Sequence, residues 1–240
     1  EMTSSLVGSE MCIRDRMKLE ATTADYLQQS VPGFDMEAPH YWANKVLTDG
    51  VTAAELTVSE PALIGWLHTL EAISQLCMAS ARYRAAVNYS RRVLKAEGYP
   101  TRAAGTVLLA LARLEDEDGF FALAHQLEEQ MGADALENSP WYLLARTILL
   151  FKTNKMRPAT RALREFANRC EGGAFFLLNP MYQTPYLPCR PEPHDPWDLS
   201  HQAVWEADGI ISDTPDFAPW ANACEDVSQL AQEFARRYGF

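Results

Sequence analysis

Apolar residues recur every three or four positions along most of the chain, which is the period of an α-helix with one buried face. The clearest example is "YRAAVNYSRRVLKAEGYP", Tyr83–Pro100, where polar residues fill the positions between the apolar ones. This period predicts an all-α fold. The same pattern predicts further helices at Leu19–Gln29, Met36–Leu47, Glu60–Ala79, Leu199–Asp208 and Phe217–Tyr238.

Capping residues and prolines mark where two of the central helices begin. Ser139 and Pro140 precede "WYLLARTI" as an N-cap and a first-turn proline. Pro158 is compatible with a helix only inside the first turn. Its position therefore predicts a helix start near Arg157.

Three stretches of the chain follow one order of elements: a helix, a polar turn, a large residue, an alanine three positions later, and a second amphipathic helix. They cover Leu70–Pro100, Leu108–Gly132 and Trp141–Cys170. A small residue where two helices cross lets their backbones approach, and the large residue fills the adjoining groove. The pairs that set this register are Tyr83 with Ala86, Phe121 with Ala124, and Met156 with Ala159.

The alanines are 38 and then 35 residues apart, and this spacing with helix–turn–helix content resembles the tetratricopeptide repeat. The resemblance implies a tetratricopeptide-like (TPR-like) α-solenoid of about three repeats, with extra N-terminal helices. That family's order of tryptophan, leucine, small and large residue is matched by Trp141, Leu144, Ala145 and Ile148.

Two features depart from the family pattern. The turn at Lys152–Lys155 is about two residues longer than the family's, and Glu115 stands where a large aromatic residue is typical. An irregular helical bundle follows the same packing rules and is the alternative fold.

Proline dominates the chain after the repeats. Six prolines in Asn179–Trp197 exclude regular structure there, and the aromatic residues among them favour an ordered strap packed on the repeats over a flexible linker. The last predicted helix, Phe217–Tyr238, is expected to cap the final repeat. We therefore expect three regions: a disordered segment at 1–16, a helical-repeat domain at 17–173, and the strap with capping helices at 174–240.

The first of these regions reads as foreign sequence. Leu6–Asp15, "LVGSEMCIRD", matches in order the translation of one frame of a common transposase-library sequencing adapter. We interpret residues 5–16 as translated adapter and expect the natural chain to begin near Met17. This interpretation allows further repeats before Met17. The alternatives are a natural disordered N-terminus or a secretory signal, but Ser5–Arg16 lacks the apolar run of about 7–15 residues that a signal needs.

Composition narrows the class of protein. The 240 residues are 48% hydrophobic, enough for a packed core, and no apolar run approaches the ~20 residues that cross a bilayer. The net charge of −11, without a basic run, argues against nucleic acid as a partner. Four cysteines are widely separated in the sequence: Cys77, Cys170, Cys189 and Cys224. This separation favours free thiols in a reducing cytoplasm.

The chain carries no P-loop, GxGxxG, GxSxG or HExxH motif. Paired carboxylates at Glu206 and Asp208 suit acid–base chemistry, but a solvated acidic face is the favoured interpretation. We therefore predict no catalytic residue, no metal and no cofactor. The residues that most resemble metal ligands, although too loosely spaced, are Cys189, His194, His201 and Cys224.

In the tetratricopeptide family the first helix of each repeat lines a concave groove. The resemblance implies that Gln75, Arg113 and Arg146 face this groove, with Leu109 and Tyr142 one turn earlier. Two arginines suit a carboxylate or other acidic group on a peptide, and Tyr142 would add a flat apolar contact. The sequence therefore predicts a partner-binding groove with an acidic ligand.

Both arginines have an alternative role inside the chain. In that interpretation Arg113 and Arg146 form ion pairs with Glu115, Asp116 or Glu137 on neighbouring turns.

We expect a cytoplasmic, non-enzymatic scaffold that binds a protein or peptide through its concave face, with neither nucleic acid nor membrane as partner. The alternative is an enzyme or small-ligand-binding protein, and a homo-oligomer whose groove holds another copy is a third option. For the enzyme, the site between the repeats and the strap would use Trp197, His201, Trp205 and Glu206.

Overall fold

The structure, a computed structural model, describes residues 2–31, 34–39, 61–96, 98–99, 101–184 and 194–240. These residues contain twelve α-helices, one short 3-10 helix and no β-strand, so the predicted all-α fold class is confirmed. They divide into two compact units, residues 1–107 and 108–240.

The first unit is built around its second helix. α2 packs against both α1 and α3, and its side chains Trp66, Leu67 and Leu70 are fully buried. The helices of this unit, the last of which crosses into the second unit, are α1 (Met2–Ser30), α2 (Pro61–Ala79), α3 (Tyr83–Leu94) and α4 (Ala103–Leu114).

A buried carboxylate joins α1, α2 and α3. Glu20 on α1, 9% exposed, accepts hydrogen bonds from Trp66 Nε1 on α2 at 2.9 Å and from an Arg92 guanidinium nitrogen on α3 at 2.6 Å. The Arg92 guanidinium also lies over the Trp66 ring, 5.5 Å from its centroid. A buried carboxylate is stable only with such partners, so this group fixes how α1 meets α2 and α3.

The predicted helix Leu19–Gln29 is confirmed as part of α1, but α1 is longer than expected. Residues 2–16, expected to be disordered, belong to this helix. Ile13, 4% exposed, packs with Ile73, Cys77 and Ala86, which gives the segment an apolar anchor. Its origin as translated adapter stays a prediction.

The helix predicted at Met36–Leu47 is not formed where it is described. Residues 36–39 are bend and coil, and the rest of that segment lies outside the described residues. The helix predicted at Glu60–Ala79 is confirmed from Pro61 onward as α2.

In the second unit, α7 packs against α8 and α10, and α9 packs against α10 and α12. Ser139 caps α7 and Pro140 occupies its first turn, as predicted. The helices that follow the end of α4 are α5 (Glu117–Met131), α6 (Ala133–Glu137), α7 (Pro140–Lys152), α8 (Met156–Arg169), α9 (Gly173–Leu178), α10 (Asp198–Ser212), α11 (Phe217–Asn222) and α12 (Glu225–Tyr238).

Three helix pairs, α2–α3, α4–α5 and α7–α8, are joined by the same backbone turn. One residue in each turn is left-handed: Ala81, Glu115 and Asn154, with φ of 56°, 59° and 60°. The residue after it donates its N–H to a carbonyl five positions back, as in the Schellman motif that ends helices. These bonds are Arg82 to Cys77 at 2.7 Å, Asp116 to Leu111 at 3.1 Å, and Lys155 to Leu150 at 2.9 Å.

The common turn corrects the register predicted for the middle repeat. Five positions after the left-handed residue stand Ala86, Phe120 and Ala159, so fully buried Phe120 occupies the position assigned to Ala124. The third turn, predicted to be longer than the family's, has the same hydrogen bonds as the other two turns of this chain. Backbone hydrogen bonding sets this register, and it leaves little trace in side-chain type.

In the region after the repeats, one predicted helix is divided in the structure. Phe217–Tyr238 is two helices, because Cys224 between them has an extended backbone with ψ of 100°. Glu225 and Asp226 then supply the negative charge that favours the N-terminus of α12. In the predicted strap, residues 194–197 are coil and turn and Pro180–Tyr182 is a 3-10 turn, while 185–193 lie outside the described residues.

Replacing Ala81 by glycine is expected to stabilise the first turn. A left-handed backbone costs a residue with a Cβ about 1 kcal/mol more than glycine, so the free energy of unfolding in urea should rise by about 0.5–1 kcal/mol. Ala79→Gly is the matched control, because Ala79 is exposed in right-handed helix and should lose about 0.5–1 kcal/mol. A loss at both positions would contradict the turn geometry.

Candidate partner-binding site

The first helices of the second and third pairs, α4 and α7, are covered on all sides. Every residue of α4 and of α7 is buried or half-buried. The concave groove predicted along these helices is therefore not open in the described structure. The exposed helical residues of the second and third pairs lie on their second helices, α5 and α8.

Leu109 is one of the predicted groove residues that the structure corrects. Its side chain is 0% exposed and belongs to the apolar interior of α4. Since α4 is apolar on nearly every face, packing takes up the position that the family resemblance assigned to a ligand.

Arg113, at the end of α4, is engaged within the chain. A guanidinium nitrogen of Arg113 donates to Asp213 Oδ2 at 2.6 Å, and the Arg113 side chain is 29% exposed. The hydrogen bond and the positive charge of Arg113 hold the pKa of Asp213 below its ordinary value. Arg113 thus binds the residue that follows α10.

Arg146 has a different carboxylate partner. Its guanidinium donates to Glu165 Oε2 on α8 at 3.2 Å. Tyr142, one turn earlier, stacks on Phe120 of α5 with ring centroids 6.0 Å apart, and burial raises the pKa of the Tyr142 hydroxyl. Both side chains join α7 to second helices.

The ion-pair alternative was correct in kind but named the wrong carboxylates. Glu115 pairs with Lys152 at 3.1 Å and Glu137 pairs with Arg169 at 2.9 Å. Asp116 instead caps α5, accepting the Gly119 N–H at 2.9 Å. A partner would have to displace these internal contacts to reach either predicted arginine.

The fifth predicted groove residue, Gln75, lies in the first unit, where it is half-buried on α2. One turn earlier, Glu71 accepts hydrogen bonds from the hydroxyls of Tyr99 at 2.9 Å and Thr101 at 2.5 Å. This face of α2 is used to hold the chain between α3 and α4.

The residues of the alternative enzyme site also have structural contacts. The two oxygens of Glu206 accept from Trp141 Nε1 at 2.8 Å and Gln202 Nε2 at 3.0 Å. His201 is 5% exposed, stacks on Phe176 with centroids 4.3 Å apart, and accepts the Thr184 N–H through Nε2 at 3.2 Å. The contacts with Trp141, Phe176 and Thr184 anchor α10 to its neighbours, while the Gln202–Glu206 bond lies within α10.

The other two members of that predicted site lie beside α9 and on α10. Trp197 is half-buried, with its ring 5.3 Å from that of Phe176. Trp205 is half-buried within α10. Trp197 packs on the same Phe176 ring as His201. Aromatic packing therefore accounts for much of the position of Trp197.

Within the described ranges, no three His, Cys, Asp or Glu side chains form a group that could hold a metal ion. Cys189 lies outside those ranges. Burial raises the pKa of Cys170 to about 12 and also raises the pKa of Cys77 and of Cys224. Among the helices described, none has the length and apolar character needed to cross a bilayer.

A cleft of about 440 Å³ opens between α8, α9 and α12. Phe175 and Phe234 contribute apolar surface to it, and Glu171 lies at its edge. That carboxylate accepts from Arg237 at 3.1 Å and from the Tyr238 hydroxyl at 2.7 Å. The charged groups at the edge therefore neutralise one another.

The sequence analysis did not single out the exposed face of α8. Arg157, Arg161 and Arg164 are all exposed on this helix. Their spacing of four and then three residues sets them on one helical face. The spacing of these arginines can be read from the sequence, but the predicted site lay on the first helices.

Comparison of the chain with protein-family models, curated proteins and solved structures gives no match.

The Asp213 carboxyl should titrate below its ordinary pKa of 3.8, followed by NMR of the carboxyl carbon. Because folding lowers this pKa, the stabilising contribution of the pair is present above the ordinary value and is lost as pH falls through the lowered one. Arg113→Met should return the pKa of Asp213 towards 3.8. Arg146→Met should leave it unchanged, and an ordinary pKa in the parent chain would contradict the ion pair.

Proposed function

We propose that this chain is a TPR-like helical-repeat protein that binds a protein or peptide partner. The observation that carries the proposal is the contact between residues at the second turn and residues at the third. Glu115 of the second turn pairs with Lys152 beside the third, and Glu117 hydrogen-bonds Lys155. Turns that meet in this way indicate helix pairs stacked side by side, as in a solenoid.

Stacked helix pairs suit protein recognition because they display a broad, regularly spaced surface on a stable interior. α8 has the required form, with Ala159, Leu163 and Phe166 buried on one face and charged residues on the other. Since α4 and α7 expose no residue, the surface offered to a partner is the outer face of the second helices.

Exposed apolar residues on these second helices add to the proposal. Phe121 on α5 is 43% exposed, and Met156 at the start of α8 is 37% exposed. Large apolar or aromatic side chains among charged ones are typical of positions where partners dock. The proposed binding surface thus combines charge with a few apolar contacts.

Selection from a phage-displayed library of random peptides tests this proposal without assuming any partner. The folded full chain should enrich peptides with a shared motif, which bind it and fail to bind the same chain in urea. Substitution of an exposed second-helix residue, such as Phe121→Ser, should weaken at least one enriched class by about tenfold. Tyr142→Phe is the control, because it retains the stacked ring and should have no effect.

The proposal fails if the folded chain enriches no motif, or if the enriched peptides bind folded and unfolded chain equally. It also fails in its choice of surface if Tyr142→Phe abolishes binding while every second-helix substitution is silent.

A further inference from the structure

The outer face of α8 carries a stripe of arginines. Arg157, Arg161 and Arg164, called the arginine stripe below, occupy positions i, i+4 and i+7 and are all exposed. This face contrasts with the chain as a whole, which has a net charge of −11.

The three members of the stripe differ in their ion pairs. Arg164 Nε donates to Asp226 Oδ2 at 2.6 Å, which balances its charge. Among the residues that the structure describes, no carboxylate lies within ion-pair distance of Arg157 or Arg161. Two positive charges therefore remain one helical turn apart on an exposed face.

Arg157 and Arg161 are placed where their positive charges are unfavourable for the helix. The first turn of α8 contains no acidic residue and includes Arg157, beside Lys155 at the N-cap. A helix N-terminus carries partial positive charge, and like charges at i and i+4 repel each other. Both effects are relieved when an anion sits against this face, and such local conflicts are typical of functional surfaces.

The equivalent helix of the first unit lacks the repulsion between arginines four residues apart, although its first turn also carries an arginine, Arg84, and no acidic residue. Counted from the common turn, Arg84, Asn88 and Arg91 on α3 take the positions of the stripe. Neutral Asn88 separates the two charges, and Arg91 lies in the last turn of α3, where positive charge is favourable. The α3 arginines therefore provide a matched comparison.

We propose that the arginine stripe docks an acidic segment of a partner protein, which rests on the proposed function above. Side chains four apart on a helix are about 6 Å apart, close to the spacing of alternate residues in an extended chain, about 6.6 Å. The segment that fits best has carboxylates at alternate positions, one for Arg157 and one for Arg161. Bidentate arginine–carboxylate pairs then hold it.

The charge of the whole chain selects this partner over nucleic acid. A phosphate backbone extends beyond two arginines and meets the repulsion of a protein with net charge −11. A short acidic segment makes contact with the stripe alone, and Met156, 37% exposed at the same end of α8, adds an apolar contact.

The test measures fluorescence anisotropy of a labelled ten-residue peptide of alternating Glu and Ala, titrated with the full chain. Arg157→Glu with Arg161→Glu should weaken binding by at least about tenfold. Arg84→Glu with Arg91→Glu alters net charge equally and should change it less than about threefold. Arg157→Lys with Arg161→Lys keeps both charges but loses the bidentate geometry, so its affinity should fall between those of the parent chain and the glutamate variant.

A second readout separates loss of docking from loss of fold. Arg157→Glu places a favourable charge at the N-terminus of α8, so its thermal midpoint should rise by about 1–4 °C while binding falls. A lower midpoint would overturn the electrostatic argument.

Three other outcomes overturn the docking proposal. They are equal loss in the α3 and α8 variants, tighter binding of a ten-nucleotide uridine RNA than of the peptide, and a Lys–Ala peptide that binds as well as the Glu–Ala one. If library peptides bind the chain but are neither acidic nor sensitive to the α8 variant, partner binding stands and the stripe is excluded as its site.

Discussion

The constraint on which the structure depends is the left-handed residue that ends the first helix of each pair. At Ala81, Glu115 and Asn154 the chain leaves its helix, satisfies the last carbonyls within the turn, and starts the next helix at once. In the first and third pairs the second helix then packs back against the first. Apolar residues spaced at the helical period on both helices of a pair can then pack against one another.

Burial divides the two kinds of helix by role. α4 and α7 are apolar on nearly every face and are enclosed, so their polar side chains serve as internal ties: Arg113 to Asp213 and Arg146 to Glu165. The second helices are amphipathic and turn their charges outward. In this arrangement α4 and α7 supply the enclosed core, so change on the outer faces of the second helices leaves that core intact.

The sequence predicted the helices well where apolar and polar positions alternate with the helical period, as in Tyr83–Leu94 and Met156–Arg169. The prediction failed where backbone conformation, rather than side-chain type, determines the register or the end of a helix. The middle register was wrong because Phe120, not a small residue, fills the crossing position, and Phe217–Tyr238 was split by an extended Cys224. Both depend on local φ and ψ, which side-chain pattern reports poorly.

The candidate site was predicted from a family's geometry, and that assumption explains its errors. Gln75, Leu109, Tyr142 and the two arginines were chosen as groove-facing, yet burial of α4 and α7 depends on segments distant in sequence, which periodicity does not report. Whether an arginine is paired is likewise decided by tertiary contacts, as with Arg113 and Asp213, 100 residues apart. The α8 arginines needed only helical spacing to be found.

The central claim is that α4 and α7 are enclosed while the second helices α5 and α8 are accessible, and hydroxyl-radical footprinting of the folded chain tests it most directly. The account predicts rapid oxidation of Phe121 and Met156, which are 43% and 37% exposed, and protection of Trp141 and Phe166, which are 6% and 0% exposed. Protection should vanish in urea. Rapid oxidation of Trp141 and Tyr142 in the folded chain would mean an open groove along α7 and would contradict the account.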